Sequence, residues 1–185
     1  MTVRQTTIAG VIVLAPRKFA DARGYFVETY NRRVYSELGI TSDFVQDNQS
    51  YSAREGTVRG LHFQRPPHSQ AKLVRVLRGS ILDVVVDLRV GSPTFGKWVA
   101  ERLTAEDAEQ LFVPRGFAHG FYTLEPSTEV AYKVDAFYSA ECDSGIVWND
   151  PTLNISWPST DITLSEKDSA LPTFDALQSP FIFGQ

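Results

Sequence analysis

Cysteine is almost absent from this chain of 185 residues. Cys142 stands alone, so no disulfide can close within the chain, and a reducing, cytoplasmic setting is expected. Long apolar runs are also missing: nothing approaches the ~18 uninterrupted apolar residues of a membrane span. The stretch from Ile8 to Ala15 follows Arg4, but Gly10 breaks it, Pro16-Arg17-Lys18 ends it and no small-x-small cleavage site follows, so it reads as a strand. Lys and Arg never cluster beyond two in a row, and 18 basic against 22 acidic side chains leave a formal charge of −4. That balance argues against a nucleic-acid partner held by phosphate neutralisation, so any anionic ligand must be met locally. No repeat, low-complexity tract or linker divides the chain, and one domain spanning 1–185 is expected.

What is present points to a folded, β-rich protein. Hydrophobic residues make up 43% and aromatic residues 12%, far from the composition of a disordered chain. Short β-rich runs separated by turn residues suggest an antiparallel sandwich or barrel. The clearest hairpin reads Lys72 to Leu77, Arg78-Gly79-Ser80, then Ile81 to Leu88, where Leu82, Val84, Val86 and Leu88 alternate with Asp83 and Asp87. Further strands are expected at 10–15, 25–30, 44–50, 57–63, 96–103, 110–113, 118–124 and 128–135. Asn31 can cap a short helix that runs to Leu38 and stops at Gly39, and Ser165 can cap another near Lys167.

Histidine is scarce: His62, His68 and His119 are the whole supply. Pro114-Arg115-Gly116-Phe117-Ala118-His119-Gly120 contains Pro-x-Gly-x-x-His, which resembles the second signature of cupin barrels. A metal-binding cupin carries His-x-His in its first signature, and here that place reads His62-Phe63-Gln64. With the second imidazole missing, a tight metal site is not expected. A pocket lined by His, Lys and Tyr instead suggests proton transfer, with one base, one charge stabiliser and one acid.

Period two places Arg59 and His62 on opposite faces of a regular strand, and a bulge at Gly60 would bring them together. Lys72 falls in register with Val74 and Val76, and Tyr132 with Val130 and Val134, so both polar tips share a face with core residues. Taken singly, these residues have ordinary readings as well: a core histidine, a strand-end lysine whose head reaches water, a buried tyrosine with one hydrogen bond. Leu164-Ser165-Glu166-Lys167-Asp168 alone reads as a solvated helix start, Asp21-Ala22-Arg23-Gly24 as a turn, and Gln46-Asp47-Asn48 as a polar loop.

In their order along the chain these segments resemble the dTDP-4-dehydrorhamnose 3,5-epimerase family, together with Tyr25-Phe26-Val27-Glu28-Thr29, Arg59-Gly60-Leu61-His62-Phe63-Gln64, Gly91-Ser92-Pro93-Thr94-Phe95-Gly96 and Trp148-Asn149-Asp150-Pro151. The resemblance implies an all-β, cupin-type jelly roll with a few short helices. It also implies a homodimer with exchanged N-terminal strands and an enzyme without a cofactor or metal. The implied substrate is dTDP-4-dehydro-6-deoxy-D-glucose and the product dTDP-4-dehydro-L-rhamnose, a step toward dTDP-L-rhamnose. By family similarity His62 is the base, Asp168 its partner, Lys72 the enolate stabiliser and Tyr132 the acid. Arg23, Phe26, Glu28, Gln46, Asn48, Arg59, His119, Tyr138, Asp143 and Lys167 match substrate-contacting or pocket-wall positions. Asp143 stands where the family commonly has Glu, which shortens its reach. A relative that inverts only C3 or only C5, and a cupin that binds a nucleotide sugar without turning it over, remain open alternatives.

Overall fold

The computed structural model describes residues 1–184, and its named strands pair antiparallel throughout. One sheet has six strands in the order β1 (Thr2–Gln5), β2 (Ile12–Ala15), β10 (Gln110–Val113), β7 (Lys72–Arg78), β12 (Thr128–Val134), β5 (Gln46–Ser52). The other runs β13 (Asp143–Gly145), β6 (Val58–Gln64), β11 (Phe117–Thr123), β8 (Ser80–Asp87), β9 (Trp98–Thr104). A separate hairpin, β3 (Lys18–Asp21) and β4 (Gly24–Val27), lies outside both sheets. The all-β jelly-roll expectation is borne out. Among the described residues no helix is long and apolar enough to cross a membrane.

Every expected strand forms, with shifts of a few residues at its ends, but the expected hairpin does not. β7 pairs with β10 and β12, whereas β8 pairs with β11 and β9, so the turn at Gly79 carries the chain from one sheet to the other. Gly79 has φ +78, and an added Cβ would stand 2.4 Å from Thr128 Oγ1. Period two is common to a hairpin and to a sandwich corner; what separates them here is where the apolar faces meet. Val74 and Val76 from one sheet pack with Ile81, Val85, Phe117 and Phe121 from the other in the central core. Burying each such side chain contributes roughly 1.5–3 kcal/mol over leaving it exposed.

Both outer faces are covered too, which explains why β8, β10 and β11 are buried almost without alternation. Leu61, Phe63, Val84, Val86 and Ala118 point away from the centre and lie under the C-terminal segment through Ile146, Leu153 and Phe181. Asp150 fixes that segment by accepting the Thr152, Leu153 and Phe174 N–H groups at 3.0, 2.8 and 2.7 Å. On the six-stranded sheet, α1 (Arg32–Glu37) buries Tyr35 against Leu14, Leu73 and Phe112. Its N-cap is Asn31, as expected, whose side chain accepts the Arg33 N–H at 3.1 Å.

The expected bulge in β6 is present. His62 pairs with His119 and Arg59 with Phe121, so three residue steps on β6 span two on β11. Gly60 has φ +126, and a Cβ there would meet Gly120 Cα at 2.6 Å and His119 O at 2.8 Å. Gly60→Ala therefore meets an unfavourable backbone region and a backbone clash together. It is expected to cost about 3 kcal/mol of stability, read as a lower urea midpoint with an unchanged slope; a midpoint equal to that of the parent would count against this packing.

Candidate active site

The bulge turns Arg59 and His62 onto one cavity of about 490 Å³, lined also by Lys72, His119, Phe121, Tyr132, Lys167 and Asp168. His62 comes from the five-stranded sheet, and Lys72 and Tyr132 from the six-stranded sheet, so they face each other across the interior. The short helix α2 (Glu166–Ser169), capped by Ser165 as expected, lays Asp168 against β6. The four residues assigned to catalysis by resemblance, far apart in sequence, thus share one cavity.

His62 Nε2 stands 2.7 Å from Asp168 Oδ1, and the Gly60 N–H donates to Asp168 Oδ2 at 3.2 Å. Burial by itself raises the Asp168 carboxyl. The hydrogen bond and charge of His62, the Gly60 N–H and Ser165 outweigh it and hold the group below the usual range. An ionised carboxylate accepts only, so His62 donates from Nε2 and leaves the Nδ1 lone pair free to take a proton. Asp168 is buried while His62 is 30% exposed, so the ring reaches the cavity from a fixed anchor.

Lys72 is buried, contrary to the reading of a frayed strand end, and its ammonium donates to the His62 carbonyl at 3.3 Å. Burial pulls its pKa down to about 8, with the charges of Asp83 and Asp143 acting in the opposite sense. Burial raises the Tyr132 phenol; Arg59 lowers it and Asp143 adds to the rise, and the phenol stays protonated as a donor requires. The Arg59 guanidinium is held at the mouth by Ser52 Oγ at 3.2 Å and the Tyr51 carbonyl at 2.9 Å.

An adjoining space of about 230 Å³ shares His62, Lys72, Tyr132 and Lys167 with the first and adds Gln46, Asn48, Tyr138 and Asp143. Gln46 Nε2 donates to Asn48 Oδ1 at 2.9 Å, and the Tyr138 N–H donates to Gln46 Oε1 at 3.2 Å. Asp143, despite its shorter reach, accepts the Tyr138 hydroxyl at 3.0 Å and pairs with the Lys167 ammonium, a bond that raises the Lys167 pKa. Arg23, Phe26 and Glu28 are not brought in. Arg23 pairs with Asp21 and its side chain is 90% exposed, Phe26 is 67% exposed, and Glu28 accepts from Asn31; none lines either cavity. His68 is exposed in a loop, and among the described residues no group of three His, Cys, Asp or Glu side chains has the spacing of a metal site.

One residue of the cavity region escapes the sequence reading. Asp83 is fully buried and lies 2.6 Å from His119 Nε2, on the β8 face that looks into the sandwich. The alternation of Asp83 with Leu82 and Val84 marked a strand but not which face was interior. A third depression of about 340 Å³ on the outward side of β5, β7 and β12 includes Arg75, Gln110 and Lys133 but no histidine.

A cupin-like β-sandwich whose interior gathers a His–Asp pair, a buried lysine and an opposed tyrosine has the groups of a proton-transfer enzyme: a base, a charge stabiliser and an acid on one cavity. The sequence profile of dTDP-4-dehydrorhamnose 3,5-epimerase matches residues 5–176, and the chain belongs to that family. A relative of that name from Sinorhizobium fredii is 51% identical over 182 residues, covering 98% of this chain and 93% of that one. The crystal structure of the Bacillus anthracis enzyme with TDP and PPi bound is 54% identical with TM-score 0.91, covering 93% of this chain and 98% of that one. The Legionella pneumophila enzyme in complex with dTDP-4-keto-L-rhamnose is 43% identical with TM-score 0.91, covering 95% and 94%.

Asp168→Asn removes a carboxylate whose pKa the fold depresses. Its contribution is therefore complete above the ordinary value of 3.8 and lost as pH falls through the lower folded value. Urea unfolding is expected to show the variant less stable by about 1–3 kcal/mol at neutral pH, with the gap closing in acid. A gap that stays constant into acid would contradict the ionised pair.

Proposed function

We propose that this protein performs the reaction of its family, inverting C3 and C5 of dTDP-4-dehydro-6-deoxy-D-glucose to give dTDP-4-dehydro-L-rhamnose in dTDP-L-rhamnose biosynthesis. The observation that carries the assignment of roles is the opposition of His62 and Tyr132 on facing sheets, with Lys72 in the same cavity. Protons on C3 and C5 flank the C4 ketone, so removing either leaves an enolate with its charge on the C4 oxygen. His62 Nδ1 takes the proton and Asp168 stabilises the imidazolium. The Lys72 ammonium meets the developing oxyanion in a site poor in water, where such a charge is worth on the order of 3 kcal/mol. Tyr132 returns a proton from the opposite face, which inverts the carbon. Each inversion adds a proton to His62 and removes one from Tyr132, and both reset by exchange with water before the second carbon reacts. Arg59 and Lys167 offset the pyrophosphate charge.

Arg23, Phe26 and Glu28 act, in this reading, on the pocket of a second copy. The β3–β4 hairpin exposes Phe19, Tyr25 and Phe26, and β1 lies fully exposed at the edge of its sheet, open to strand pairing. A homodimer that exchanges N-terminal strands would cover both features and complete each site. A solution mass equal to one chain would overturn it.

In D2O, deuterium is expected at both C3 and C5 of the product by NMR. Incorporation at one carbon would mark a single-site epimerase, and none at either, with saturable binding, would mark a nucleotide-sugar binder. His62→Ala is expected to lower kcat by about 10²–10⁴-fold. Tyr132→Phe is expected to stop inversion while His62 still washes deuterium into the substrate with its configuration kept. Full epimerase activity in His62→Ala would remove the base from its role.

A further inference from the structure

The proposed mechanism uses one His–Asp pair, and the interior holds a second that it leaves idle. His119 Nε2 and Asp83 Oδ1 are 2.6 Å apart, with Asp83 at 0% and His119 at 6% exposure. The other carboxylate oxygen, Asp83 Oδ2, is buried with no hydrogen-bond partner among the described residues. Neighbouring Val85 and Phe121 make its surroundings apolar, so an uncompensated oxygen there is costly. Lys72 is short of partners in the same way: among the described residues its buried ammonium makes one hydrogen bond, to the His62 carbonyl.

The charged and titratable groups that line the two cavities with Lys72, or whose charge acts on it, are Arg59 and His62 from β6, His119 from β11, Tyr132 from β12, Tyr138 from the loop that follows, Asp83 from β8, Asp143 from β13, and Lys167 and Asp168 from α2. Three of them are carboxylates. Asp168 is committed to His62 and the Gly60 N–H, and Asp143 to Tyr138 and Lys167 at the rim. Only Asp83 has a buried oxygen to spare, and its charge acts on Lys72. We propose that Asp83 is a positioning residue: anchored to His119 through one oxygen, it supplies the counter-charge that keeps Lys72 an ammonium facing the cavity while the enolate forms. The proposal rests on the reaction assigned above for its catalytic consequence, but its electrostatic core can be read without turnover.

Asp83→Asn keeps the shape and an oxygen for His119 while removing the charge. With five lysines in the chain, the Lys72 side-chain carbon or nitrogen resonance can be assigned by comparison with Lys72→Arg and titrated by NMR. The parent is expected to titrate at about 8, and Asp83→Asn about one to three pH units lower, the range for loss of a nearby opposite charge. The alkaline limb of the kcat–pH profile should move with it while KM stays nearly constant. A purely structural role would lower stability without moving either midpoint, and an unmoved Lys72 midpoint in folded Asp83→Asn would overturn the proposal. Should that variant not fold, the double variant Lys72→Met/Asp83→Asn is expected to resist urea better than Lys72→Met, which strands the carboxylate; the reverse order overturns the pairing. If the parent exchanges no deuterium into substrate but the Lys72 midpoint still moves, the reaction assignment fails and the charge pairing stands.

Discussion

One extra residue in β6, at Gly60, is the constraint on which the site depends. It shifts the phase of the strand so that Arg59 and His62 both serve the cavity, while Leu61 and Phe63 pack into the outer core. The same residue donates its N–H to Asp168 and lies against Gly120, where an added Cβ would come within 2.7 Å of the Arg59 carbonyl. Strand pairing, the His–Asp pair and the cavity wall thus depend on a backbone contact that only glycines allow.

Around that backbone the electrostatics are local. In a chain of formal charge −4 the fold gathers three cations, Arg59, Lys72 and Lys167, on one cavity. Lys72 is the most desolvated of the three, and burial pulls its pKa to about 8, where the protonated state depends on nearby carboxylates. Asp143 of β13 ties Tyr138 to Lys167 of α2 across the rim.

The motifs that made the resemblance divide into two kinds once the fold is seen. Gly91-Ser92-Pro93-Thr94-Phe95-Gly96 is an anchor: Ser92 and Thr94 donate their hydroxyls to the buried Asp87 carboxylate, and the Phe95 ring packs against Phe174 at a tilt. Asp150 of Trp148-Asn149-Asp150-Pro151 is likewise an anchor for backbone N–H groups. His62, Lys72, Tyr132 and Asp168 were legible as candidates because polar residues in register with core positions, or in an ordered set of motifs, stand out against the bland alternatives. Asp83 was not, because a carboxylate alternating with valines looks the same whether its face meets water or a buried cavity.

The sequence alone determined ten of the thirteen strands, both helix caps, the bulge at Gly60 and the family, since these follow from period-two spacing, capping chemistry and ordered motifs; the short β1, β3 and β13 carry too few residues for such a pattern. Which strands pair was decided by the tertiary structure: Gly79 turns a corner between sheets because the apolar faces of β7 and β8 meet across the core rather than side by side. Tertiary structure also decided that Arg23, Phe26 and Glu28 stand away from their own chain's cavity, that Asp83 faces inward and that Lys72 is desolvated. Each of these depends on which groups become neighbours in space, and spacing along a chain fixes the face of a strand without fixing what that face will meet.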